Sequence, residues 1–329
     1  MATDPAPLVI DRRGPASLRS RLLYGALVPL MRRPLAVLQT APFGPELIAR
    51  AARIDEWAAR LPPPRGTRVT PAVFGDSRGE WVLGRGVHAS DTAILYLHGG
   101  GWFFGGLHTH RSMVSRLSSA SGAVALSVAY RMVPEVTLDR EVDDCVTAFL
   151  GLLDYGFAPE NIAIIGDSAG GHLAFATALR LRDSGHPVPG TVVSLSGCLD
   201  FDLAAKWRHE NAGRDPLRAM AALEVLMHGV LGDLDPRDPV VSPLHADLTG
   251  LPASLLVAGS TESVYLDSEV MAQRLSEAGV PAILQVWDRQ LHVFQSLVPL
   301  VPEAARSIAA VGEHLRATLG LRHADDLAS

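Results

Sequence analysis

The sequence has almost no lysine. Of its 29 basic residues only Lys206 is a lysine; the rest are arginines. A single amine with no motif around it leaves little room for lysine-based chemistry. Cysteine is nearly as scarce, with only Cys145 and Cys198. Two cysteines so far apart fit neither a zinc motif nor a disulfide framework, and both read as core thiols in a reducing compartment. The longest early apolar run, Leu22 to Met31, is interrupted by Gly25 and Pro29 and is too short to span a bilayer. Arg32 and Arg33 follow it and no small-residue cleavage site is clear, so it reads as an amphipathic helix lying on the protein itself. Internal repeats and low-complexity tracts are absent. Positive charge is not in surplus either: the net charge is −6, whereas nucleic-acid binding needs a basic face. What remains is expected to be a cytoplasmic protein without stable membrane insertion and without a nucleic-acid partner. Its oligomeric state stays open, a homodimer included.

The 329 residues are enough for one large α/β domain, or two small ones. Residues 16–61 look helical, and Pro62-Pro63-Pro64 ends them. Strands are predicted at Val69–Phe74, Glu80–Val87, Thr92–His98, Ala123–Tyr130, Asn161–Gly166, Thr191–Ser196, Ala253–Gly259 and Ala282–Trp287. Helices are predicted near 109–121, 139–154, 169–184, 267–278 and 303–318. Apolar strands alternating with helices imply a mostly parallel sheet covered on both faces. Residues from about 200 to 248 break the rhythm and are expected to insert helices above the sheet, joining the N-terminal helices as a cap. The chain then divides into an N-terminal helical cap segment (1–65), a catalytic domain carrying the insertion (66–320) and a C-terminal tail (321–329).

Two segments match G-x-S-x-G: Gly75-Asp76-Ser77-Arg78-Gly79 and Gly166-Asp167-Ser168-Ala169-Gly170. A nucleophile elbow needs a buried strand before the serine and a helix after it, so that the sharp turn lifts Oγ off the sheet edge. Ser168 has both: Ile162-Ala163-Ile164-Ile165 precedes it and Leu173-Ala174-Phe175-Ala176 follows. Ser77 has neither and reads as a hairpin-turn residue. Upstream, His98-Gly99-Gly100-Gly101-Trp102 follows a strand ending at Leu97. Such a glycine run lets backbone N–H groups approach an oxyanion, and each donor stabilises a tetrahedral intermediate by roughly 3 kcal/mol. The residue after the nucleophile, Ala169, supplies the other half of that hole. Of twelve histidines, His292 alone sits just past the last strand, where it could take a proton from Ser168. His108 and His110 lack a third ligand at metal spacing, so no metal is expected, and no cofactor is implied because acyl transfer on a serine needs only side chains and water.

These segments, with Tyr130-Arg131, Pro134-Glu135 and His292-Val293-Phe294, fall in an order and spacing that resembles the bacterial hormone-sensitive lipase family of α/β-hydrolases. The resemblance covers roughly residues 60–318. It implies an α/β-hydrolase fold with an eight-stranded sheet and a helical cap made partly from the N-terminus. It also implies oxyanion donors at the N–H groups of Gly100, Gly101 and Ala169. Two stretches depart from the family pattern: Glu135-Val136-Thr137-Leu138, and Ser196-Gly197-Cys198-Leu199-Asp200. Both bear on specificity rather than on chemistry.

In this fold the triad runs serine, acid, histidine along the chain. Many relatives place Asp two residues after the glycine that ends the next-to-last strand; here that position is Thr261. Others carry Glu at the following position, and Glu262 matches them. Asp267, expected to cap a helix, and Asp288, expected in a surface turn, are its rivals. The aromatics Trp102, Phe103 and Phe104 are expected to crowd the substrate pocket; the plainer reading is that they pack the loop onto the cap. The function expected is hydrolysis of short- to medium-chain carboxylic esters, lactones included, through an acyl-enzyme on Ser168, Glu262 and His292. An amide or N-acetyl deacylase would use the same triad. A silent small-molecule receptor, as some plant relatives are, would have lost a triad member.

Overall fold

The computed structural model describes residues 4–40, 43–74 and 77–320; the expected tail at 321–329 lies outside the described residues, as do Gly75 and Asp76 of the first serine motif. The strands are β1 (Leu8–Arg13), β2 (Arg68–Phe74), β3 (Ser77–Leu83), β4 (Ala93–Leu97), β5 (Val124–Ala129), β6 (Ile162–Asp167), β7 (Thr191–Leu195), β8 (Ser254–Gly259) and β9 (Ala282–Trp287). They form one sheet in the order β1-β9-β8-β7-β6-β4-β5-β3-β2. From β1 to β5 every pairing is parallel; β3 alone runs against the rest, so its pairings with β5 and with the edge strand β2 are antiparallel.

The sheet therefore has nine strands among the described residues, not eight. The strand missed is β1, which lies in the segment 1–65 assigned to the cap, ahead of the stretch expected to be helical. It pairs with β9 from Leu8↔Ala282 to Arg13↔Trp287. Its sequence, three apolar residues and then Asp-Arg-Arg, carries no strand periodicity. Charged side chains are tolerated there because it is an edge strand.

The central strands are buried on both faces, and alternate side chains serve two separate cores. Leu95, Leu97, Ile162 and Ile164 face one core, with Leu173 and Phe175 of α5 (Ala169–Asp183), Cys145 of α4 (Leu138–Asp154) and Met271 of α9 (Tyr265–Glu277). Ile94, Tyr96, Ala163 and Ile165 face the other, with Val114 and Leu117 of α3 (Leu107–Ser121) and Ile308 and Val311 of α10 (Pro302–Thr318). Both cysteines are free and buried.

The helical expectation for 16–61 splits into α1 (Leu18–Thr40) and α2 (Pro45–Ala58), the latter opened by Pro45 at a first-turn position that needs no N–H. Three short helices follow β7: α6 (Ala204–Arg208), α7 (Asn211–Arg214) and α8 (Met220–Leu231). α1 packs against α8, so the N-terminal helix and the insertion meet. Parallel strands all end on one side of the sheet, and β4, β6, β8 and β9 there release the glycine run, Ser168, Glu262 and His292.

Candidate active site

The β6–α5 junction turns at Ser168 with φ 54° and ψ −118°, a conformation that few L-residues hold. Its N–H is anchored on the Leu195 carbonyl at 2.9 Å. The turn is possible because its neighbours are glycines: a Cβ on Gly170 would run into the Leu97 carbonyl oxygen. Ser77, by contrast, opens β3 opposite Phe74 and is followed by strand rather than helix.

Ser168 Oγ lies 2.9 Å from His292 Nε2, and His292 Nδ1 lies 2.9 Å from Glu262 Oε2. Glu262 is buried, and its second oxygen accepts from the Gly259 N–H and from Ser196 Oγ at 2.9 Å. Both carboxylate oxygens are thereby committed, which fixes the plane of the group. Burial raises the Glu262 carboxyl pKa, opposed by His292 and by the Gly259 and Ser196 donors. Burial would lower the His292 pKa, but the hydrogen bond and charge of Glu262 outweigh it and leave this histidine raised. The rivals sit elsewhere. Asp288 Oδ2 accepts the Ala16 N–H at 3.1 Å. Asp267 does not cap α9 as expected. Its carboxylate takes the N–H groups of Leu199 and Asp200 and pairs with Lys206 Nζ at 2.7 Å.

That ion pair gives the lone lysine a structural partner that no local motif announced. Lys206 is 1% exposed and also donates to the Asp200 carbonyl at 2.7 Å. Burial pulls its pKa down, yet Asp267 above all pulls it further up, so the ammonium stays charged. Further side chains from the stretch after β7 reach the loop that carries Glu262. Asn211 Nδ2 donates to the Ser260 and Glu262 carbonyls at 3.1 and 3.0 Å. Asp215 Oδ2 accepts the Ser263 N–H at 3.1 Å and its hydroxyl. Ser196, at φ 53°, donates to Glu262 and accepts the Val293 N–H at 3.2 Å, bridging the acid to the residue after His292. None of these roles was foreseen. The one available signal was that Ser196 opens a stretch aligned with a family segment.

The glycine run is held from below. Asp167 is buried, and its carboxylate accepts the Gly99 N–H at 3.0 Å and the Tyr96 hydroxyl, with His110 Nε2 at 3.4 Å. Burial would raise the Asp167 pKa, but the charge and hydrogen bond of His110, with the other donors, bring it below the usual value. The Tyr130 hydroxyl donates to the His98 carbonyl. Gly100 and Gly101 have φ of 134° and 60°, and at Gly100 a Cβ would strike the Phe104 carbonyl. Among the described residues no hydrogen bond engages the N–H groups of Gly100, Gly101 or Ala169.

The three aromatics after the run part company. Trp102 is 1% exposed and turns inward, donating its indole N–H to His172 Nδ1 at 3.2 Å, with Phe201 at 4.7 Å. It supports the loop from behind and presents no pocket wall. His172 donates Nε2–H to the Val241 carbonyl at 2.6 Å. Burial lowers its pKa to about 4, so it is the neutral tautomer this chain of bonds needs. Phe103 is buried edge-on against Phe43, and Phe104 is partly exposed. His108 bonds Asp55 at 2.7 Å rather than pairing with His110, and among the described residues no cluster of His, Cys, Asp or Glu could hold a metal ion.

The family described by the alpha/beta hydrolase fold matches residues 94–296. An acetyl-hydrolase of Streptomyces hygroscopicus is 35% identical over 82% of this chain and 88% of its own length. The carboxylesterase/phospholipase LipF of Mycobacterium tuberculosis is 34% identical over 95% of this chain and 85% of its own. A crystal structure of an esterase from the bacterial hormone-sensitive lipase family superposes with a TM-score of 0.79 at 33% identity, covering 89% of this chain and 99% of the other. With its glycine run, elbow and histidine in register on this fold, the chain belongs to the bacterial hormone-sensitive lipase family of α/β-hydrolase-fold esterases.

Proposed function

We propose that the protein hydrolyses carboxylic esters of short to medium acyl chain by two-step acyl transfer, with Ser168 as nucleophile, His292 as base and Glu262 as its orienter. One observation carries this reading. The imidazole of His292 stands 2.9 Å from both the Ser168 hydroxyl and the Glu262 carboxylate, beside a turn whose N–H groups are unengaged. His292 takes the hydroxyl proton as Oγ attacks the carbonyl carbon. Glu262 holds the Nδ1 tautomer and stabilises the imidazolium. The N–H groups of Gly100, Gly101 and Ala169 receive the negative charge that develops on the carbonyl oxygen. The imidazolium then protonates the departing alcohol, and water activated by the same histidine releases the acid.

We assign the partly exposed Phe104 to the acyl side of the pocket, with the buried Trp102 and Phe103 setting its position. Side chains and water suffice for every step, so no cofactor is invoked. Among the described residues no helix is long and apolar enough to cross a membrane. The proposal adds a cytoplasmic location and leaves both a monomer and a homodimer compatible with the site, which one chain completes. Turnover of p-nitrophenyl butyrate tests it, with fluorophosphonate labelling mapped by peptide mass. Labelling at a serine other than Ser168, or no turnover of any short-chain ester, would overturn it.

A further inference from the structure

We propose that the outer face of α1 is a docking surface for an anionic lipid bilayer. The inner face of this helix is accounted for. Tyr24 and Val28 are buried against the protein, and the Tyr24 hydroxyl donates at 2.7 Å to Gln290, two residues before His292. The outer face is covered by nothing among the described residues. Leu18, Leu22 and Leu30 are 69%, 68% and 56% exposed, and the exposed positions between the last two include Gly25, Ala26 and Pro29. Three turns of apolar surface therefore face solvent on a helix whose other side packs normally.

Charge identifies the occupant. The helix α1, Leu18–Thr40, contains four arginines and no carboxylate, in a chain of net charge −6. Arg19, Arg21 and Arg33 are exposed beside the leucines, and no hydrogen bond or ion pair engages their guanidinium groups among the described residues. Arg32 is turned aside, its Nε donating to the Pro216 carbonyl at 2.7 Å. A second copy docked face to face would press these cations against their own counterparts. An acidic headgroup layer accepts them, and the leucines reach past it into the acyl boundary. Arginine suits this position because its stem lies along apolar surface while its head stays wet. The helix would lie in the plane of the surface, with its inner side resting on the loop of His292. This surface is independent of the esterase assignment.

The test is sedimentation of the full chain with vesicles of phosphatidylcholine alone and of phosphatidylcholine mixed with phosphatidylglycerol. Binding is expected only to the mixed vesicles and should weaken as salt is raised. The pair Arg19→Glu, Arg21→Glu should lower partitioning by about tenfold or more. The pair Leu22→Asp, Leu30→Asp should abolish it. Hydrolysis of a soluble ester is expected to be unchanged in both pairs, which also shows that they fold. Equal sedimentation with both vesicle types, or undiminished binding by the variants, overturns the proposal. So does sedimentation equilibrium showing a dimer that Leu22→Asp dissociates, because the face then belongs to a second copy.

Discussion

The two halves of the site are built differently. The side proposed to hold the oxyanion is built from the ends of two paired central strands, β4 and β6, and the helices that follow them: Asp167 takes the Gly99 N–H, Tyr96 and His110 flank that carboxylate, and Gly170 closes against Leu97. The acid side is held from outside. Glu262 stands on a loop whose carbonyls are bound by Asn211, whose next residue is bound by Asp215, and whose following helix is pinned by Lys206. All three side chains come from the stretch that interrupts the strand–helix rhythm. The stretch expected only to form part of a cap therefore also holds the loop on which the proposed orienter of the histidine stands.

The largest effect should be common to both halves. Ser168→Ala is expected to reduce ester hydrolysis to background while Ser77→Ala stays near wild type, measured as initial rates on p-nitrophenyl butyrate.

Glu262→Gln comes next. Removing the orienter of a serine protease lowers kcat by roughly 10⁴, and a similar loss with KM little changed is expected here. Should Glu262→Gln stay within about tenfold of wild type while Asp288→Asn collapses, the acid has been misplaced.

Lys206→Met separates the halves by stability. It strands a buried Asp267 carboxylate, and breaking one side of a buried pair costs about 3–5 kcal/mol. Urea unfolding should register that loss, whereas adding Asp267→Asn, which removes the stranded charge and keeps an acceptor for the Leu199 and Asp200 N–H groups, should recover part of it.

Asn211→Ala should be milder, with kcat lowered about tenfold by a loosened acid loop and KM held. Unchanged kcat in this variant would mean that the loop keeps its shape without the insertion.

The smallest effect is one of pH. Glu262 raises the His292 pKa above its ordinary 6.5, and only neutral Nε2 can accept the serine proton. Activity should therefore be lost as pH falls through a midpoint above 6.5 in kcat/KM. Glu262→Gln should move that midpoint downward, since an amide no longer favours the imidazolium.

The contrast also explains which parts were legible in the sequence. The elbow and the glycine run are local. Strand, tight turn and helix occupy consecutive residues, and the glycines mark where a Cβ would collide. Glu262 and His292 were reachable because each follows its strand within a few residues, in a fixed order along the chain. The supports of the acid loop were not reachable. Ser196 and Glu262 are 66 residues apart, and Lys206 and Asp267 meet only because β7 and β8 are neighbours in the sheet. Asp267 was expected to cap a helix because its local surroundings suit that role. A distant ammonium outcompeted those N–H groups. β1 escaped for a related reason: an edge strand takes its order from its partner and needs no alternation of its own.

The chain's one ε-amine is also a clock. Lys206 is sealed in an ion pair where the stretch after β7 meets the acid loop, so amine-directed reagents must await an excursion that parts them. Acylation of this residue in the native state would proceed at the pace of local opening, as amide exchange does for buried backbone. With Lys206 the one lysine, its tryptic peptide is distinguished by mass from any peptide acylated at the α-amine. A single mass shift followed over time would report how often the frame of the acid lets go.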